Sequence, residues 1–143
     1  MSEVNNNIPS LDENDEKKNI TISNYERSWS LTREQLYMSE VIEQALQGDP
    51  NCYTIEFNKP TWVLDKIVKF IEYHSEEPMM HIERPLINFN FQSNVSSWDF
   101  NFLNDLNNSE LVELIVESDY FIIKDLLSLC LCKLACIVKN NMV

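Results

Sequence analysis

The chain has one glycine, Gly48, among its 143 residues. Phosphate-cradling loops such as G-x-G-x-x-G and the P-loop need several glycines for close backbone approach, so nucleotide-binding enzymes of both kinds are excluded. Histidine is nearly as scarce, with His74 and His81 alone. Neither stands with a Ser, Cys or carboxylate at nucleophile or metal-ligand spacing. Catalysis has almost no raw material, and no catalytic residue, metal or cofactor is expected. Basic residues are also few, 11 Lys and Arg against 23 Asp and Glu, a formal net charge of −12. Such a surface repels phosphate backbones and anionic lipid heads, which argues against nucleic acid and membrane partners.

Apolar residues are not lacking: 44% of the chain is hydrophobic. A single domain of this length buries roughly two thirds of the surface its unfolded chain exposes. Cys52, Cys130, Cys132 and Cys136 come without a secretion signal. Three of them lie inside one apolar helical pattern, where cysteine behaves as a small hydrophobe. Reduced, buried thiols in the cytosol or nucleus are expected. A metal site at Cys132 and Cys136, one turn apart, would find no further ligand nearby in sequence.

Residues 1–18 carry Glu3, Asp12, Glu13, Asp15 and Glu16, an Asn run and almost no apolar side chains, the composition of a disordered acidic tail. Residues 19–143 read as one domain. Ile20, Ile22, Trp29 and Leu31 alternate with polar residues around Asn24-Tyr25-Glu26-Arg27, predicting a hairpin. Thr32 and Gln35 then open a helix whose apolar positions run from Leu36 to Leu46 and which stops at Gly48-Asp49-Pro50. Tyr53, Ile55 and Phe57 alternate as a third strand, and Pro60-Thr61 opens a helix carrying Trp62, Leu64, Ile67, Val68 and Ile71. Residues 75–97 form a long internal loop, with a short strand expected at Leu86 to Phe91. A short helix follows from Trp98 to Leu103, a longer one capped by Asn108-Ser109 runs to about Phe121, and a last one spans Lys124 to Lys139. Charges at Glu113, Glu117, Asp119, Lys124, Asp125 and Lys133 make the last two a buried helical pair and not a membrane span.

These residues resemble a family, the S-phase kinase-associated adaptors that link F-box proteins to a cullin in ubiquitin ligases. Trp98-Asp99-x-x-Phe102-Leu103, then Leu114-Ile115, Tyr120, Ile123-Lys124 and Leu126-Leu127, is similar to the family's W-D-x-x-F-L and N-Y-L-x-I-K-x-L-L order. Tyr53-Thr54-Ile55-Glu56-Phe57-Asn58 with Leu64 to His74, and Met38-Ser39-Glu40-Val41-Ile42, are similar to its strand and its earlier helices. Asp119 departs from the family's Asn. The family's two further helices, which wrap the F-box, have no counterpart before Val143.

The resemblance implies an α+β BTB/POZ fold, a small three-stranded sheet packed on a cluster of helices with a C-terminal helical pair. It implies a non-catalytic adaptor bridging a cullin to an F-box or related receptor, in cytoplasm or nucleus. Asp119 and Tyr120 would face the cullin, and Leu126, Leu127, Leu131 and Leu134 the receptor. Alternatives of the same fold are a self-associating or kinetochore-type scaffold module, or a truncated decoy that holds one partner. Without the resemblance, Tyr120 reads as a cover for the core edge. Trp98 and Phe102, one turn apart, are expected to pack internally. His74 and His81 are expected as a helix-end polar residue and a loop residue.

Overall fold

The computed structural model describes residues 19–141, so the acidic segment 1–18 and the final Met142-Val143 lie outside the described residues. The expected hairpin forms as β1 (Ile20–Ser23) and β2 (Ser28–Leu31), antiparallel with Ile20 opposite Leu31 and Ile22 opposite Trp29. Its turn is built by Asn24, whose Oδ1 accepts from the amides of Glu26 and Arg27, an Asx arrangement that needs no glycine. β3 (Thr54–Glu56) adds parallel to β1, giving the order β2-β1-β3. The inward Ile20, Ile22 and Leu31 lie against the helices. The architecture is α+β, a three-stranded sheet with seven helices among the described residues.

The single helix expected from Thr32 to Leu46 is two. α1 (Arg33–Leu36) is a one-turn piece closed by a capping box between Thr32 and Gln35. The chain then breaks at Tyr37 to Ser39, and Ser39 caps α2 (Glu40–Gly48) by accepting from the Ile42 amide. The helical period survives the break because Leu36, Ile42 and Leu46 all reach the core, so periodicity alone concealed it. α3 (Thr61–His74) starts after Pro60 as expected and is the most buried helix, with Val63, Leu64, Ile67, Val68, Phe70 and Ile71 inside.

No strand forms at Leu86 to Phe91. The chain from Ser75 runs without regular structure, through a cis Arg84–Pro85 peptide, to a single turn, α4 (Phe91–Asn94). The side chains of Asn88, Asn90 and Asn94 bond to local backbone and to one another, satisfying groups that a sheet would otherwise have claimed. α5 (Ser97–Asn104) follows, then α6 (Asn108–Phe121), capped by Asn107 one residue earlier than expected, and α7 (Lys124–Asn140).

Two polar devices fasten α5. Its last carbonyls would be orphaned at a helix end. Lys66 of α3 donates to the Phe102 carbonyl, and Lys133 of α7 donates to that of Leu103, so two cations meet the negative end of the helix dipole. Asp105 completes the group at 2.9 Å from Lys66, whose ammonium holds that carboxyl below the usual range.

The second device is at His74, which ends α3 as expected. The sequence did not show its burial: Nε2 lies 2.7 Å from Asp99 Oδ1, and both side chains are almost wholly buried. Nδ1 faces the Glu77 carbonyl at 2.6 Å, so both ring nitrogens have a partner. The pair ties the end of α3 to the start of α5. Around it the rings of Tyr73, Trp98 and Phe102 stack in series, at centroid distances of 4.0 and 5.0 Å, which confirms internal packing for Trp98 and Phe102.

Asp99→Ala leaves the imidazole buried with an unmet partner, and removal of one member of such a pair costs about 3–5 kcal/mol. Urea titration should show that loss; a change under about 1 kcal/mol would mean the pair is structurally idle. The thiols offer a second check. Burial pushes Cys130 up to about 12 and Cys132 up to about 11, and raises Cys136 as well. With so little thiolate present, iodoacetamide should label Cys52 in the native protein long before these three, and all four after denaturation.

Candidate functional site

The junction of α6 and α7 is built around a backbone outlier. Ile122 has φ 51° and ψ 61°, a left-handed conformation usually left to glycine at a helix end. The Ile122 amide donates to the Asp119 carbonyl and the Ile123 amide to that of Ser118, so the helix terminates with its carbonyls met. Ser39 comes in from the start of α2: its hydroxyl donates to the Phe121 carbonyl at 2.6 Å while capping its own helix. The Glu40 amide donates to the Ile122 carbonyl at 3.2 Å, and Lys124 pairs with Glu40 across the same seam. The stretch from 118 to 123 is thus held by local bonds and by α2.

On this frame stands Tyr120, 49% exposed. Its ring meets Phe121 edge-on, and Phe121, fully buried, meets Phe57 in the same manner at 4.9 Å. One face of the ring is covered by Lys59, whose ammonium lies 4.0 Å from the centroid. That ammonium also approaches Glu117 Oε1 at 3.0 Å, an ion pair in place of an aligned hydrogen bond for an otherwise unpartnered buried oxygen. Lys59 is itself anchored, since its carbonyl accepts from the Asn24 side chain in the hairpin turn. Strand turn, α3 entry and α6 end therefore converge on one aromatic ring, and the rotamer of that ring is set before any partner arrives.

Asp119 is exposed next to Tyr120. Sequence reasoning missed what surrounds them. Val112 and Val116 precede Tyr120 at four-residue spacing, are 49% and 59% exposed, and form with it one apolar ridge along α6. Glu113 and Asp119 flank that ridge on its two sides by helical geometry, and both are exposed. The sequence signal was present in the spacing of Val112, Val116 and Tyr120. It was hidden because the opposite face, with Leu111, Leu114 and Phe121, is also apolar and is the one that packs.

The four leucines expected to face a receptor divide. Leu126 is fully buried, so it is core and not surface, because the first turn of α7 faces inward beneath Ile123. Leu127 and Leu134 are half-buried, and Leu131 is exposed. Leu131 is continued along α7 by Ala135 and Val138, both exposed, at i+4 and i+7. Beside it a groove of about 280 Å³ opens toward Ile82, Pro85 and Leu86 of the long loop, with Arg84 on the rim held by a 2.7 Å bond to Ser128. Of the four, only Leu131 stands on the exposed apolar strip of α7.

Among the described residues, no three His, Cys, Asp or Glu side chains converge to hold a metal, and no helix is long and apolar enough to cross a membrane. What the arrangement offers chemically is two preformed apolar faces on adjoining helices.

No protein-family model matches the chain. Its sequence is 35% identical over 79 residues to the S-phase kinase-associated protein 1 homolog of Tetrahymena thermophila. That match covers 55% of this chain and 48% of the relative, so the chain spans about half the length of the curated relative it matches. The BTB (Tramtrack and Bric a brac) domain of human Gigaxonin is a structural neighbour at a TM-score of 0.49 and 17% identity, covering 87% of this chain and 81% of that one. The resemblance to the S-phase kinase-associated proteins is thus borne out by sequence kinship to one of them.

Proposed function

We propose that this protein is a non-catalytic adaptor of a cullin-type ubiquitin ligase, carrying a cullin on the Tyr120 corner and a substrate receptor of the F-box type on α7. The observation that carries the reading is the corner itself. Tyr120 matches the tyrosine of the family's motif order, half its surface is open, and Lys59 and Phe121 hold it. A rigid tyrosine with an apolar body and a wet hydroxyl is the kind of side chain that dominates protein interfaces. The ridge of Val112 and Val116 extends the contact beyond the two residues that the sequence singled out.

On the receptor side the working residues are Leu131, Ala135 and Val138, with the groove against Pro85 and Leu86. Leu134 lies at the half-buried edge of that face. The mechanism is positional: the adaptor changes no bond and fixes the distance between two proteins. Cytoplasm or nucleus, where cullin ligases work, is the compartment this role requires.

Tyr120→Ala removes the anchor without touching the core, and loss of an interface hot spot costs about 2 kcal/mol or more, roughly thirtyfold in affinity. Titration calorimetry against the N-terminal domain of a cullin from the same organism is the measurement. The variant should melt near the parent temperature and bind at least about tenfold more weakly. Equal affinity in a folded variant would overturn the assignment of the corner, and failure of the parent chain to bind would overturn the reading as a whole.

A further inference from the structure

A second concavity, of about 710 Å³, lies at the far end of α7 where the loop around Asn88 to Gln92 crosses it. It shares neither the Tyr120 corner nor the Leu131 groove. Its apolar part is mainly aromatic: Phe91 and Phe100 stand 5.8 Å apart, with Phe89 and Ile137 beside them, and Asn88, Asn90 and Asn140 form a polar margin. The loop is not loose over it, since the Asn140 side chain donates to the Phe89 carbonyl and Asn88 is bonded to Asn90, Ser93 and Asn94.

The charge around this slot is opposite to that of the molecule. In a chain of net charge −12, no carboxylate lines it. Lys133 lines it, 6.0 Å from the centroid of Phe91, and Lys139 stands 5.5 Å from that of Phe89. Asp105, the carboxylate whose charge acts on Lys133, is committed to Lys66 at 2.9 Å. Of the three N–H donors of Lys133, one goes to the Leu103 carbonyl. The Gln92 amide lines the same concavity and makes no hydrogen bond among the described residues.

We infer that this concavity is a docking site for an acidic peptide segment, one large apolar side chain entering the slot of Phe89, Phe91 and Phe100 while flanking carboxylates meet Lys133 and Lys139. The aromatic walls supply the apolar contact. The two ammoniums select charge, and Gln92 is placed to bond peptide backbone. The net negative charge of the chain disfavours acidic segments in general, so the lysine-rimmed slot confers selectivity as well as attraction.

The probe is a short fluorescein-labelled peptide with one Phe set among Asp and Glu, followed by fluorescence polarisation with the full chain. Saturable binding that weakens with added salt is expected. Lys139→Glu and Phe89→Ala, both at exposed positions, should each weaken it by about tenfold, and Tyr120→Ala should leave it unchanged. The same peptide with Lys in place of Asp and Glu should not bind. Absence of saturable binding, equal binding of the basic peptide, insensitivity to both Lys139→Glu and Phe89→Ala, or loss on Tyr120→Ala would each overturn the proposal.

Discussion

A β-branched residue in the left-handed region pays a steric penalty that glycine avoids, on the order of 1–3 kcal/mol. Ile122 accepts that penalty at the one place where α6 must reverse into α7. The reversal is sustained from both sides. Terminal carbonyls of α6 are met by the amides of Ile122 and Ile123, and Ser39 and Glu40 bind the carbonyls of Phe121 and Ile122 from a helix some eighty positions earlier in the chain. Ile123, just past the turn, is fully buried, and its neighbour Ile122 is partly exposed. The turn therefore cannot relax by one residue without withdrawing Ile123 from the core or burying a different side chain. Everything that the two final helices present outward, the Tyr120 ridge on one and the Leu131 face on the other, takes its direction from this bend.

Beside the apolar core, polar contacts cross the interior of the fold. His74 and Asp99 join α3 to α5, Lys66 and Lys133 close the end of α5, and Lys59 with Glu117 joins the entry of α3 to α6. Each of these links crosses a loop or joins helices distant in sequence. Geometry and partner number decide whether such contacts stabilise, since an unmatched buried charge costs far more than a matched one returns. Here each cation sits on a carbonyl, a carboxylate or an aromatic face. Desolvation lowers Lys133 from its ordinary value, which is the expense of using a lysine as an internal helix cap.

Local order was legible in the sequence and long-range pairing was not. The hairpin could be read because Ile20, Ile22, Trp29 and Leu31 alternate with period two, and the third strand and α3 because Pro60 marks where one period gives way to another. The break before Ser39 could not, because its flanking apolar residues keep helical phase across it. Asp99 looked like half of a motif and His74 like a helix end; only folding brings them to 2.7 Å across twenty-five positions. The strand expected at Leu86 to Phe91 failed for a related reason. Its asparagines find local backbone partners, which removes the need for a neighbouring strand. Leu126 and Leu131 show the limit at the site itself: both are leucines of one apolar helix, and helical phase against Ile123 puts the first inside and the second outside.

In the proposed adaptor role, rigidity is the property on which function depends. A bridge that flexed between its two faces would lose binding free energy at each interface to ordering the other. The seam from Ser39 to Phe121 places both faces on helices that share one fixed turn, and α6 and α7 also pack against each other along their length. Movement of Tyr120 relative to Leu131 would require breaking the bonds at Phe121, Ile122 and Ile123 together. Strain at Ile122 is then the cost of a short connection: a longer loop would spare the left-handed conformation and release the angle between the two surfaces. The same logic accounts for the extensive fixing of Tyr120 by Lys59 and Phe121, since a side chain already held in place loses little entropy when a partner closes over it.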